Sequence, residues 1–145
     1  KEWGKYDNVI FEIFNEPTSQ SWGTIKQYAE AVIDTIRKHS DNLIVVGNRS
    51  YDQYPNEAAS SPINDKNVAY TFHYYAASHS TGNEGANAVR AMNGGLSVFV
   101  TEWGNSGPGG NGSMYNDRSR DWYQWMKDNK LSGANWASMI PGRPG

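Results

Sequence analysis

Short apolar runs separated by stretches of helical period constrain this chain more than any other feature. Residues 8–14 (Asn-Val-Ile-Phe-Glu-Ile-Phe), 43–46 (Leu-Ile-Val-Val), 67–75 and 96–101 (Leu-Ser-Val-Phe-Val-Thr) are too short for helices. Their nearly continuous apolar character is that of strands buried on both faces in a parallel sheet. Between the first two runs, Ile25, Tyr28, Ala29, Val32, Ile33 and Ile36 recur at i, i+3, i+4, i+7, i+8 and i+11. That spacing marks one face of a 3.6-residue helix and predicts helix over residues 24–39. A second helix is predicted over residues 84–92, stopped by Asn93-Gly94-Gly95. A third runs from an N-cap at Asp117 through Asn129, with Trp122, Trp125, Met126 and Asn129 on one side. The polar segment holding Pro55 and Pro62 has room for a short helix. Residues 104–116, rich in glycine, read as an irregular loop, and a last short strand is predicted over residues 133–139.

Five strands alternating with helices imply parallel strands joined by right-handed crossovers. Periodicity alone does not separate an open doubly wound sheet from part of a closed barrel. At 145 residues the chain is too short for a complete eight-stranded α/β barrel of about 250 residues. No internal repeat or linker divides it, so residues 1–145 read as one domain.

The charge balance removes several functions. Lys plus Arg number 13 against 15 Asp plus Glu, a net charge of -2, so neither nucleic acid nor an acidic membrane is an expected partner. With no cysteine, disulfide frameworks, thiolate metal sites and thiol catalysis are excluded together. No apolar run approaches the roughly 18 residues of a membrane span, and Lys1-Glu2-Trp3-Gly4 lacks the apolar core of a signal peptide. What is plentiful is aromatic: 6 Trp, 9 Tyr and 4 Phe, with 19% charged residues against about 25% in average chains. Sugar rings lie on aromatic faces and pair their hydroxyls with amides and carboxylates, so this composition suits a carbohydrate surface.

In α/β folds the reactive groups gather at the carboxyl ends of the strands. Two carboxylates are so placed: Glu16, inside Asn15-Glu16-Pro17 after the first strand, and Glu102, inside Thr101-Glu102-Trp103-Gly104 after the fourth. Glycoside hydrolysis needs such a pair, one acid for the leaving oxygen and one anion for the anomeric carbon. Asn15 offers an amide suited to a sugar 2-hydroxyl. His73 and Tyr75 stand two apart on a strand, so both rings can point at one site. Read alone, His73 also fits a hydrogen-bonded core histidine. Glu12 shares the alternation face of Glu16 but stands roughly 13 Å down the strand, and reads as a polar residue of the interior. Trp122 and Trp125, at helical spacing, read as core, and His39 as a helix C-terminal dipole partner. With no metal-ligand spacing, phosphate loop or nucleophile elbow, no metal or other cofactor is expected.

The sequence resembles glycoside hydrolase family 5, the cellulase-type retaining glycosidases built on the (β/α)8 TIM barrel. The resemblance rests on Ile13-Phe14-Asn15-Glu16-Pro17, Phe72-His73-Tyr74-Tyr75-Ala76, Phe99-Val100-Thr101-Glu102-Trp103-Gly104 and Ala134-Asn135-Trp136-Ala137, in the family's order and at similar spacing. It implies a partial barrel comprising strands four to eight. It also implies Glu16 as acid/base, Glu102 as nucleophile and Asn15 as the 2-hydroxyl contact. His73 and Tyr75 would line the reacting subsite, with Tyr75 near the nucleophile, and Trp136 would form an aromatic platform. Tyr51 stands where many relatives have a Trp. His79, on the loop beyond the His73 strand, reads either as a further substrate contact or as a solvated loop histidine.

The implied reaction is hydrolysis of β-1,4-glucan with retention, the acid raised in pKa by burial and the nearby anion, the nucleophile held ionised by a hydrogen bond from Tyr75. Extracellular action follows from the resemblance, because cellulose lies outside the cell. The resemblance further implies that three strands, a final helix and an Arg and a His of that other half are absent from this chain, a truncated catalytic domain. A five-stranded remnant exposes strand edges and apolar faces, which favours self-association. A noncatalytic carbohydrate-binding remnant, and a β-mannanase or xylanase of the same clan, remain open.

Overall fold

In the computed structural model, which describes residues 1–109, 114 and 116–136, five strands pair in parallel. They are β1 (Phe11–Glu12), β2 (Ile44–Val46), β3 (Val68–Tyr75), β4 (Val98–Gly104) and β5 (Gly133–Asn135). The sheet order is β1-β2-β3-β4-β5. Each strand is added on the same side as the last, without the reversal that defines a doubly wound sheet. The result is a curled half-barrel, part of a (β/α)8 barrel, and the ambiguity left by periodicity is settled in its favour. Helix α1 (Trp22–Arg37) follows β1, α2 (Glu84–Asn93) follows β3 and α3 (Asn116–Asp128) follows β4. The polar segment between β2 and β3 holds the expected short helix, a 3-10 turn at Pro55–Ser60.

Helix α1 starts two residues earlier than its apolar period. Ser21 supplies the N-cap, its hydroxyl accepting the Thr24 N–H at 3.3 Å, which brings Trp22 into the first turn. Trp22, Ile25, Ala29 and Ile33 then pack on Ile44, Val46 and Tyr70 of the sheet. Past the other end, Arg37 grips both Asp65 oxygens at 2.7 and 2.9 Å and the carbonyls of Ser40, Asn42 and Asn67. Arg37 thus takes the role expected of His39, which is exposed two residues beyond the helix. The guanidinium holds the Asp65 carboxyl below the ordinary carboxylate range. Asp117 lies in the first turn of α3 instead of preceding it, where its charge still favours the helix N-terminus.

A second cluster lies under α3. Phe72, Tyr74, Ala88, Val100 and Trp122 are buried together, with Trp103, Trp125 and Met126 packed against them. Tyr74 is stacked between two indoles, 4.0 Å from Trp122 and 5.9 Å from Trp103 by ring centroid. Trp122 and Trp125 therefore belong to the core, as their helical spacing predicts.

The first and last strands depart from expectation. Residues 8–14 do not form a strand buried on both faces: only Phe11–Glu12 pair, and Ile10 and Phe14 are 47% and 51% exposed. The reason is position. Among the described residues β1 has one hydrogen-bonded neighbour, β2, so nothing covers its outer flank. At the other edge β5 ends at Asn135 and is exposed throughout; residues 137–139 of the predicted strand lie outside the described residues.

Candidate active site

The sheet's C-terminal end gathers the polar side chains. Along β3, Phe72 and Tyr74 face the helices while His73 and Tyr75 face inward, the alternation of a pleated strand. Helix-side packing of Phe72 and Tyr74 on Trp122 thus fixes where the two site residues point.

Strand β4 does not alternate regularly. Thr71 pairs with Phe99 but His73 pairs with Glu102, and on the other flank Val100 pairs with Gly133 but Trp103 with Asn135. The shift against β3 places one extra residue of β4 between Phe99 and Glu102 and the shift against β5 places it between Val100 and Trp103, so a single β-bulge lies where they overlap. Val100 and Trp103 pack against the helices, while the intervening Thr101 and Glu102 both reach inward, Thr101 to His73 and Glu102 to Tyr75. Strict alternation from Val98 and Val100 would have aimed Glu102 at the helices.

His73, 1% exposed, is the hub. Its Nδ1 lies 2.9 Å from Glu16 Oε1 and its Nε2 2.9 Å from Thr101 Oγ1. The Thr101 hydroxyl donates to Glu12 Oε1 at 2.8 Å, so it accepts from His73, which puts a proton on Nε2. The remaining contact, Nδ1 to Glu16, then needs one proton of its own, shared between ring and carboxyl. Glu12 is thus tied to Glu16 through Thr101 and His73.

Glu102 accepts a hydrogen bond from the Tyr75 hydroxyl. Burial, then the Glu102 and Glu16 carboxylates, raise the Tyr75 phenol pKa well above its usual value, so the group remains a donor. One carboxylate oxygen of Glu16, one of Glu102 and a His73 nitrogen lie within 4.8 Å of one another. A second such trio joins Glu12, Asp52 and His73. Both trios share the His73 imidazole, whose two nitrogens are hydrogen-bonded to Glu16 and Thr101.

Glu16, Tyr51, Gln53, His73, Tyr75, His79 and Pro108 line a cleft of about 430 Å³. The structure therefore brings five of the eight sequence-predicted site residues to one cavity and ties a sixth, Glu102, to its wall through Tyr75. His79 is anchored there: the Tyr75 N–H donates to its Nδ1 at 2.9 Å, and its Nε2 lies 3.1 Å from the Gln53 amide. Burial lowers its pKa against the raising effect of Glu84 and Glu16. Asn15 and Trp136 are not among the residues lining the cleft. Asn15 is exposed beside Glu16, and Trp136, 60% exposed, follows β5 with its N–H on Trp103 O at 2.8 Å.

Three participants escaped the sequence reading: Thr101, Gln53 and Asp52. Asp52 is 0% exposed and accepts the N–H groups of Asn48 at 2.5 Å and Glu16 at 2.9 Å. Burial pushes its pKa up to about 6, against the opposing effects of His73 and of these N–H donors. The available signal was its position, since Asp52 follows β2 much as Glu16 follows β1.

Paired carboxylates on the C-terminal face of a barrel segment are the arrangement of barrel-type glycoside hydrolases. The chain belongs to glycosyl hydrolase family 5: the family model described as cellulase (glycosyl hydrolase family 5) matches residues 1–140. It is 49% identical over 140 residues to "Endoglucanase Z" of Dickeya dadantii (strain 3937), covering 94% of this chain and 32% of that protein. An "Endoglucanase" of Clostridium saccharobutylicum is 41% identical over 140 residues, with 94% and 31% covered. Among solved structures, "Cellulase Cel5C_n" superposes with a TM-score of 0.92 at 37% identity, covering 97% of this chain and 44% of that one. The catalytic domain of Thermobifida fusca endoglucanase Cel5A gives 0.82 at 36% identity, with 93% and 46% covered. The chain spans about a third of the length of the curated relatives it matches.

Proposed function

We propose that this chain carries the two catalytic carboxylates of a retaining endo-β-1,4-glucanase. The observation that carries the reading is the approach of Glu16 and Glu102 oxygens to within 4.8 Å. Retaining glycosidases hold their carboxyl groups about 5 to 5.5 Å apart, whereas inversion needs roughly 6.5 to 9.5 Å to admit a water.

In this mechanism Glu102 attacks the anomeric carbon while Glu16 gives its proton to the departing glycosidic oxygen. Water, deprotonated by Glu16, then releases the glycosyl-enzyme, with Glu102 as leaving group. The proton shared by Glu16 and His73 Nδ1 supports the acid role, because it lies beside the group that must donate it. The Tyr75 hydroxyl stabilises the Glu102 carboxylate as an anion and so supports the nucleophile role. Tyr51 and His79 line the cleft where sugar would lie; Asn15 as the 2-hydroxyl contact and Trp136 as a platform complete the reading at its edges.

The partner is a β-glucan polymer, and a polymer of that kind is met outside the cell. Among the described residues no helix is long and apolar enough to cross a membrane. Among the described residues β1 and β5 each have one strand neighbour, and Ile10 and Phe14 are exposed beside β1, which supports self-association of the folded chain. Sedimentation showing a dilute monomer that unfolds cooperatively would count against that part.

The test is hydrolysis of carboxymethylcellulose, mannan and xylan by the chain and by its Glu16→Gln and Glu102→Gln variants, with NMR of the first anomer released. Preference for the glucan, a β-anomer first and rates at least about 10²-fold lower in both variants support the reading. An α-anomer first, or undiminished rates in either variant, would overturn it. Cello-oligosaccharide binding without any turnover would favour the noncatalytic alternative.

A further inference from the structure

The turn after β2 holds Asp52, a buried carboxyl that the mechanism leaves unused. Ser50, Tyr51 and Asp52 all have positive φ, at 54°, 60° and 60°, and so does Glu16, at 51°. Non-glycine residues in this region are strained and persist where neighbouring contacts over-determine them. Here the contacts form a ladder running antiparallel between two loops. Ser50 N donates to Thr18 O at 2.8 Å and Tyr51 N to Pro17 O at 3.0 Å. At the third rung the direction reverses: Glu16 N donates to the Asp52 carboxylate at 2.9 Å.

The two loops can close this tightly because Gly47 lies between them. A Cβ there would stand 2.9 Å from Phe14 O, 2.9 Å from Pro17 Cδ and 3.0 Å from Asp52 Oδ1. The Asp52 carboxylate uses both oxygens, one for the Asn48 N–H and one for the Glu16 N–H. An asparagine could serve one of those donors but would turn its own NH2 against the other. The site thus selects a two-oxygen acceptor, and it does so inside the protein, where a charge is costly without partners.

We infer that Asp52 is a positioning residue for Glu16: it holds the Glu16 main chain in the left-handed conformation from which the side chain meets His73 and the cleft. The inference rests on reading Glu16 as the acid/base. Asp52 does not line the cleft and acts only through Glu16 and His73. The titratable groups around it are Glu16 and Glu12 from the β1 side and His73 from β3, whose Nε2 lies 3.8 Å from Asp52 Oδ2. An anion at Asp52 favours retention of the proton shared by Glu16 and His73. Burial raises Asp52 itself to about 6, so this anion forms as the pH rises through that value.

The test has two arms. In the unaltered chain, the backbone amide resonances of Glu16 and Asn48 should follow one common titration near pH 6, and Asp52→Asn should abolish it in both. In the hydrolysis assay, Asp52→Asn should lower kcat about tenfold with KM unchanged, and should move the alkaline limb of the pH profile to lower pH. The sign follows because removing an anion lowers the pKa of a neighbouring acid. A Glu16 amide indifferent to Asp52, or a variant whose only defect is a lower Tm, would overturn the inference. If no glucan is hydrolysed but the Glu16 amide still reports Asp52, the hydrolase reading fails while the positioning contact stands.

Discussion

The Tyr75 hydroxyl donates a hydrogen bond to Glu102 Oε1 from the neighbouring strand. The contact exists because the β4 bulge turns Glu102 inward and because β3 alternation turns Tyr75 to meet it. Buried and beside two carboxylates, the phenol keeps its proton, so it stabilises an anionic Glu102. Tyr75→Phe removes that donor and little volume. We expect kcat to fall about 10²-fold, the scale of losing one well-placed donor to a reacting oxygen, with near-unchanged circular dichroism.

Gly104 lies where Tyr75 passes. A Cβ at this position would stand 2.7 Å from two carbons of the Tyr75 ring, closer than real contacts allow. Gly104→Ala therefore displaces the ring from Glu102. Activity on soluble glucan should fall to near that of Tyr75→Phe, and the double variant should be no worse than either alone, the non-additivity of residues acting on one contact.

Trp122 is buried at 1% exposure against Phe72, Tyr74 and Trp125. It supports the face of β3 opposite His73 and Tyr75. Trp122→Ala should cost about 3 to 5 kcal/mol, read from the urea midpoint. A loss below about 1 kcal/mol would show that this stack is not the core of the half-barrel.

Arg37 binds Asp65 and three carbonyls beyond the end of α1. The Asp65 pKa is lower folded than unfolded, so the ionic part of its stabilisation is present above the unfolded value of about 3.9 and lost as pH falls through the folded one. Arg37→Ala should therefore cost about 2 kcal/mol at pH 7. That cost should shrink below pH 4 to what the carbonyl contacts contribute, as measured by denaturation at both pH values.

Much of this architecture is legible in the sequence. The period of Ile25, Ala29 and Ile33 located α1, the apolar runs located the central strands, and Asn15-Glu16-Pro17 with Thr101-Glu102-Trp103-Gly104 located both acids. These are local signals, set by 3.6-residue and two-residue repeats and by the residues that stop them. The extent of β1 was not legible, because burial of residues 8–14 depends on what lies beyond the strand's free edge. For Asp52 only its position after β2 was legible, because a polar loop does not show which of its side chains will be enclosed.

The chain's order of residues determined which groups are available for chemistry and at which strand ends they emerge. Only the tertiary structure decided that they meet. An extra residue in β4 reversed the alternation that would have pointed Glu102 at the helices, and a left-handed turn brought Asp52 onto the Glu16 main chain. Both effects arise from pairing between segments far apart in the chain, where register and loop closure, not local periodicity, set the direction of a side chain.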